Sequence, residues 1–399
     1  MKFNIWKDYP NKPLPEVLSF IVDNRGKTVP TDPNGKYTLI ATNCIRNENL
    51  YPTHEKIRTL NERTYREWFR AHPEPNDIIF VNKGTPGRVC LVPNPVNFCI
   101  AQDMIALRAN PKIIYYKYLF AVLRSSKIQN QIKSTTVGDV IPHFKKHQLK
   151  ELNIPIPPMN IQKTIGDYYF MFCEKEECNK KINKNLLEQA QTIFDQEFLS
   201  LDDIPANWTK SSLLGIADYL NGLAMQKYRP AEGAQGLPVL KIKELRQGSC
   251  DANSELCSPS IKPEYIVHDG DVIFSWSGSL LVDFWCGGIC GLNQHLFKVT
   301  SKTYDKWFYY AWTNHHLQKF AAIAADMATT MGHIKREELS KAEVLIPSRS
   351  DYERIGSLLA PLYDLVISNR IENRKLASLR DELLPQLMTG QIDVSEVSL

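Results

Sequence analysis

The sequence predicts an α/β chain: two α/β modules in direct repeat, separated by a pair of long antiparallel coiled-coil helices. Three observations predict it. Short motifs recur at a spacing of about 190 residues, each copy begins with short strand-like runs, and each copy ends in a long stretch of heptad-spaced apolar residues. The boundaries follow as a first module over 1–160, a first helix over 161–200, a second module over 201–349 and a second helix over 350–392.

The repeat is read directly. Asn76-Asp77-Ile78-Ile79-Phe80 recurs as Gly270-Asp271-Val272-Ile273-Phe274, and Thr135-Thr136-Val137-Gly138 as Thr329-Thr330-Met331-Gly332, both at an offset of 194. Four extra residues, Asp139 to Pro142, then shift the offset to 190, where His143-Phe144-Lys145-Lys146 matches His333-Ile334-Lys335-Arg336. Ile156-Pro157 matches Ile346-Pro347, and Ile165-Gly166 matches Ile355-Gly356, at that same offset.

Within each module, Asp77–Val81, Val89–Val92, Val239–Ile242 and Asp271–Phe274 are apolar, β-branched runs bounded by Gly, Pro and Asn, which reads as strands and turns. The prolines in Ile154-Pro155-Ile156-Pro157-Pro158 and Leu345-Ile346-Pro347 suit an extended lead into a helix, because the residue before a proline avoids the α region. Ser350-Asp351-Tyr352-Glu353 then reads as a capping box for the second helix and Gly390 as its stop.

Positions 165, 169, 172, 176, 179, 183, 186, 190 and 193 follow a 4-3 spacing, as do 355, 359, 362, 366, 369, 373, 376, 380, 383 and 387. Such a seam argues for helices paired as a coiled coil; the plainer alternative is two amphipathic helices, each packed on its own module. Asn179 and Asn183 match Asn369 and Asn373, and polar seam residues fix register. An antiparallel pairing of Asn179 with Asn373 and Asn183 with Asn369 also sets Ile165 against Leu387, Tyr169 against Leu383 and Leu186 against Val366.

Several function classes are excluded. The composition is 43% hydrophobic and 23% charged, as in a globular chain. The most apolar stretch, Val272 to Leu292, is interrupted by Ser275, Ser277 and Asp283, so no membrane partner is expected. The segment MKFNIWKDYP lacks the features of a secretion signal. Nine cysteines, an odd number without a CxxC pair, fit buried free thiols and a reducing cytoplasm. No phosphate loop appears, nor a Gly-rich loop for a methyl donor, nor an Asn/Asp-Pro-Pro-aromatic motif, so no catalytic residue is expected. Pro157-Pro158 belongs to the helix lead, and the glycines of 84–87 and 287–288 to turns. His315-His316 follows an aromatic run and suits surface or packing, and Cys286 with Cys290 suits burial; no metal and no cofactor are expected. Glu174 to Glu177 reads as a solvated helix face.

Two globular modules, each followed by a Thr-Thr-x-Gly turn, an Ile-Pro segment and a long helix, resemble the specificity subunit of type I restriction–modification systems. The resemblance covers nearly the whole chain and rests on the duplication, the module starts at Trp6 and Trp208, the Asn293-Gln294 turn and the stretch from Thr329 to Leu387. It departs locally in the first module: Asn160-Ile161-Gln162 lacks an acidic residue before the glutamine, and Ala101-Gln102-Asp103 stands where the second copy has Leu292-Asn293-Gln294. The resemblance implies that each module is a target recognition domain reading one half of a bipartite double-stranded DNA site, that the helices set the gap, and that two methyltransferase subunits, and restriction subunits, assemble on the chain. The chain itself is then not an enzyme. Two other classes stay open on the residues: a nuclease or self-contained methyltransferase with duplicated DNA-binding domains, and a helical scaffold whose modules bind protein.

Base readout needs side chains able to make directional bonds to base edges, chiefly Arg, Lys, Asn and Gln on loops and helix ends. In the first module these are Arg25, Lys27, Asn43, Arg46, Asn47, Asn82, Lys83 and Arg88; in the second, Gln226, Lys227, Lys241, Lys243, Asn293, Gln294 and His295. His143, Lys145 and Lys146 recur as His333, Lys335 and Arg336, and a feature common to both halves suits phosphate contact, which positions without carrying sequence. Residues 1–150 carry 23 Lys+Arg against 12 Asp+Glu, whereas residues 205–345 carry 14 of each, so nonspecific attraction to DNA is expected mainly from the first module.

Overall fold

The computed structural model describes residues 4–24, 26–136, 138, 141–326 and 334–392. It divides into two compact units, residues 1–178 with 376–399, and residues 179–375.

In the first unit an antiparallel sheet has the order Leu18–Val22, Met104–Ala109, Ile78–Val81, Val89–Leu91. A second sheet orders Arg58–Leu60, Tyr37–Leu39 and Phe98–Cys99, the last pair parallel. The strand Ile78–Val81 is buried on both faces. Because side chains alternate across a strand, Ile78 and Phe80 enter the core with the helices Tyr116–Arg124 and Ser126–Thr135, while Ile79 and Val81 enter a second core with Ile40, Ile45 and Cys90.

The second unit repeats this plan. Its main sheet orders Asp218–Asn221, Leu296–Thr300, Val272–Ser275 and Leu281–Phe284, and its second sheet Leu256–Cys257, Leu237–Leu240, Cys290–Leu292 and Ile266–Val267. Val272 and Phe274 face the aromatic helix Lys306–Asp326, and Ile273 faces the opposite core. The carboxylate at the start of each central strand is neutralised from the neighbouring strand: Asp77 by Arg108 at 2.9 Å and Asp271 by Lys298 at 2.8 Å.

The proline segments do more than lead into helices. Asn153–Pro155 pairs with Asn11–Pro13, and Glu343–Ile346 with Thr209–Ser212, so each module is closed by a strand that follows its helical part. The long helices run over Met159–Phe194 and Arg349–Thr389. The second begins before the Ser350 box: Ser348 is its cap, its hydroxyl accepting from Asp351 N–H at 3.3 Å and donating to the Asp351 carboxylate at 2.7 Å. Asp351 also takes the indole N–H of Trp208 at 3.0 Å, which leaves Glu353 for Arg349 at 2.8 Å. Gly390 has φ +69° and ends the helix, with Gln391 N–H closing on the Gln386 carbonyl at 3.0 Å.

Gly166 and Gly356 explain one recurring pair. A Cβ on Gly166 would lie 2.6 Å from the Tyr118 backbone nitrogen, so the first long helix needs glycine to approach the helix Tyr116–Arg124, and one on Gly356 would press on the Trp307 indole nitrogen at 3.0 Å.

Within the first unit, Ile165 and Tyr169 share a core with Leu384, Leu387 and Met388. Within the second, Asn179 Nδ2 donates to Asn373 Oδ1 at 2.8 Å and Asn369 Nδ2 to Asn183 Oδ1 at 2.9 Å, a register in which the helices run antiparallel. At two seam positions of the second helix the neighbouring residue is the buried one, Tyr363 rather than Leu362 and Leu384 rather than Leu383, while Ile355, Leu359, Val366 and Leu387 are buried where expected. A straight helix at 3.6 residues per turn drifts from a strict 3.5 repeat by about 20° per heptad, so it does not keep every strict heptad position on its buried face. The acidic run in the first helix is not wholly solvated either. Glu176 is buried and paired with Arg380 at 2.8 Å, because it falls on the seam where its neighbours do not.

All nine cysteines are free and seven are buried. His316 is buried against Trp312 and Phe320, with Nε2 2.8 Å from the Glu343 carbonyl, and burial holds its pKa below the usual imidazole value. Among the described residues no helix is long and apolar enough to cross a membrane.

Candidate nucleic-acid interface

Strand pairing fixes how the modules correspond, because a one-residue slip would turn each side chain to the other face. Val81 pairs with Met104 and Ser275 with Leu296; Thr38 pairs with Phe98 and Val239 with Gly291. Leu39 similarly pairs with Cys99 and Leu240 with Leu292. The pairing into the central strands makes Met104 the counterpart of Leu296, and the turn residues Gln102 and Asp103 therefore the counterparts of Gln294 and His295. This corrects the sequence alignment by one residue: Gln102 matches Gln294, not Asn293. The same sheet sets Val22, opposite Ala106, against Leu220, opposite Lys298, so Asp23 corresponds to Asn221.

These positions gather at one end of each main sheet. In the first module Asp23, Gly26, Arg70, Asn82, Lys83, Gln102, Asp103 and His143 line an open cleft of about 570 Å³. Lys83 Nζ lies 3.9 Å from Asp103 Oδ1, and Lys146 reaches Asp23 at 3.0 Å. The turn carrying His143 is held by the strand end: Phe144 N–H donates to the Asn82 carbonyl at 2.8 Å and Gly84 N–H to the Pro142 carbonyl at 2.9 Å.

The second module has the same frame with other chemistry. Ile334 N–H donates to the Trp276 carbonyl at 2.9 Å, as Phe144 does to Asn82. Ser277 stands where Lys83 does, its hydroxyl 3.2 Å from His295 Nδ1, and the Gln294 carboxamide nitrogen lies 3.3 Å from His295 Nε2. The two contacts agree if the amide donates to Nε2 and Nδ1–H donates to the hydroxyl. The Trp276 indole donates to Asn221 Oδ1 at 3.1 Å, and its ring lies beside His295 with centroids 6.2 Å apart.

The residues expected from sequence separate into three groups. Lys83, His143, Lys146, Gln294 and His295 belong to these two sheet ends, and Lys145, Lys335 and Arg336 are exposed on the adjoining turns. Asn82 and Asn293 are buried and engaged in the frame: Asn82 Nδ2 donates to the Phe144 carbonyl at 3.2 Å, and Asn293 Oδ1 accepts from His295 N–H at 3.2 Å. Both side chains are held within the turns they shape. A third group lies elsewhere. Asn43 donates to the Glu55 carbonyl and Arg46 pairs with the Glu55 carboxylate, each at 2.7 Å, while Asn47 accepts from Val89 N–H at 2.9 Å beside the half-buried Arg88. Lys27, Gln226 and Lys227 are exposed, Lys241 pairs with Glu255, and Lys243 reaches Asp251 at 3.2 Å. Arg25 and His333, with Val137, Asp139, Val140 and the 329–332 turn, lie outside the described residues. Sequence reasoning missed Asp23, Gln102, Asp103, Asn221, Trp276 and Ser277; for Gln102 and Asp103 the two-residue turn before Met104 was the available signal.

A duplicated module with matched polar sheet ends, each copy followed by a long helix, defines a two-module protein. The chain belongs to the family described as type I restriction modification DNA specificity domain, whose model matches residues 7–188 and again 205–379. It is 23% identical over 364 residues to the type I restriction enzyme MjaIX specificity subunit of Methanocaldococcus jannaschii, covering 85% of this chain and 83% of that one. It is 20% identical over 393 residues to the HindI specificity subunit of Haemophilus influenzae, covering 77% and 84%. In fold it is similar to the crystal structure of the type I restriction-modification S subunit from M. genitalium, with a TM-score of 0.58, 15% identity and coverage of 96% and 98%.

Proposed function

We propose that the chain is the non-catalytic DNA-recognition subunit of a type I restriction–modification complex, acting in the cytoplasm, with each module reading one half of a split duplex site. The observation that carries this reading is the pair of matched sheet ends, where one backbone frame presents Lys83, Gln102 and Asp103 in one module and Ser277, Gln294 and His295 in the other. Equal frames with unequal side chains suit two half-sites of different sequence. Lys145, Lys146, Lys335 and Arg336, beside both sites, suit phosphate contacts.

The long helices supply the spacing between half-sites and a surface for two methyltransferase subunits, with restriction subunits joining them. Each unit presents apolar side chains on these helices to solvent: Met171 and Leu379 in the first, Ile182, Leu358 and Leu365 in the second. Exposed leucines at heptad spacing suit helices of a partner protein. The test is methyl transfer to duplex DNA from a methyl donor, with the chain alone and with its methyltransferase subunit added. The chain alone transfers nothing and the complex methylates one bipartite sequence; transfer by the chain alone, or no gel-shift of duplex DNA by the complex, contradicts the reading.

A further inference from the structure

In the second unit the long helix Arg349–Thr389 holds its module at two separate places. Near the helix start, Asp351 takes the Trp208 indole N–H and Tyr363 enters the aromatic core. Further along, Arg374 grips Asp269 with both terminal nitrogens at 2.7 Å and donates to the Cys286 carbonyl at 2.6 Å. One turn earlier, Arg370 Nη1 lies 2.6 Å from Asp283 Oδ1 and 3.2 Å from the Phe284 carbonyl. Asp269 also accepts from Gly288 N–H at 2.8 Å, and Gly288, at φ +90°, leaves room for the Arg374 guanidinium, which a Cβ there would approach to 3.3 Å. All four charged side chains are half-buried, so solvent screens these pairs less than a surface pair. Both arginines hold the open end of one hairpin, in which Val272–Ser275 pairs with Leu281–Phe284, while Ser277 in the connecting loop lies 3.2 Å from His295 at the opposite, polar end. The first module lacks both carboxylates: Pro75 stands where Asp269 does, and by register Cys90 where Asp283 does.

We infer that Arg370 and Arg374 are positioning residues, which fix the tilt of the second module on its helix and thereby how strictly the complex holds the gap between half-sites. This rests on the DNA-recognition reading above. From Asp269 to Ser277 the chain reaches at most about 26 Å, at about 3.3 Å per residue. Over that arm a tilt of about 7.5° moves the loop by about 3.4 Å, the rise of one base pair. A gap wrong by one base pair must be met by deforming the DNA against a fixed module, and that cost discriminates against it. A module free to tilt takes up the displacement and leaves only the change in twist for the DNA to absorb. The helices set the length of the gap, and the two arginine grips set its tolerance.

The experiment uses the full chain assembled with its methyltransferase subunit, with methylated sites mapped by sequencing a methylation-free genome. The wild-type complex is expected to methylate sites of one gap length. Arg374→Ala and Asp269→Asn open one grip from its two sides, and Arg370→Ala and Asp283→Asn open the other. Each is expected to leave both half-site sequences unchanged and to raise methylation at gaps one base pair longer or shorter by about 10-fold, the low end of the cost of deforming a site. Arg374→Lys, which keeps the charge and loses the two-pronged grip, is expected to fall between. Arg349→Ala, which removes an exposed pair with Glu353 on the same helix, is expected to keep the wild-type stringency. Lost stability alone lowers methylation at every gap together and does not raise it at a wrong one. Unchanged stringency in the four grip variants overturns the inference while leaving the DNA-recognition reading intact. So does an altered half-site, equal relaxation by Arg349→Ala, or loss of all methylation by every grip variant, which marks contacts needed only for folding. Absence of any bipartite motif in the wild-type complex overturns the recognition reading itself.

Discussion

Glu176 and Arg380 form an ion pair of 2.8 Å in which both side chains are less than one-tenth exposed, on the seam between the two long helices of the first unit. Arg380 also lies over the Tyr169 ring, 5.9 Å from its centroid, and donates to the exposed Asp381 at 2.9 Å. Removing one member of such a pair strands the other charge in a poorly solvated place. Glu176→Ala is expected to destabilise the first unit by about 3–5 kcal/mol, whereas Glu176→Leu with Arg380→Met restores most of the loss. Denaturant unfolding followed by hydrogen exchange in residues 159–178 measures both; equal stability of Glu176→Ala and wild type contradicts the burial.

The asparagine ladder fixes register in the second unit. With Asn179 and Asn373 in hydrogen-bond contact, cysteines at those positions in a chain lacking Cys173 and Cys178 are expected to form an intramolecular crosslink. Peptide mass spectrometry after mild oxidation finds that link within one chain; bridges formed only between chains contradict the pairing.

Lys145 and Lys335 stand at matching places, one residue past the backbone contacts that Phe144 makes with Asn82 and Ile334 with Trp276. As phosphate contacts they carry no sequence. Lys145→Ala and Lys335→Ala are each expected to weaken DNA binding by the complex evenly across sequences, and to lower the slope of log K against log salt by about 0.9. A changed methylation motif contradicts the assignment. The charge excess of residues 1–150 is best measured in the full chain, because a fragment ending there loses Leu152, Ile154, Ile165 and Tyr169 from its core.

The repeat, the long helices and the asparagines were legible because periodicity and self-similarity survive in sequence. The apolar run Asp77–Val81 read as a strand, but that both of its faces are buried is visible only in the structure. The match of Gln102 with Gln294 was not legible: the loops ending at Met104 and Leu296 differ in length by one residue, so counting from the preceding strand sets Ala101 against Gln294. Only the hydrogen-bonded register of Val81 with Met104 and Ser275 with Leu296 resolves it. Asn82 and Asn293 show a related gap between sequence and structure. An asparagine that shapes a turn and one that reads a base are the same letter, and only the structure shows that these two are buried.

The central claim is that the two modules read DNA independently, and exchange of one module tests it most directly. Thr209–Ser212 pairs with Glu343–Ile346, so the exchanged segment must run past residue 346, and residues 201–348 make a suitable unit. With that segment taken from another family member, methylome sequencing of the assembled complex is expected to show one half-site replaced, with the other half-site and the gap unchanged. Alteration of both half-sites would contradict the account.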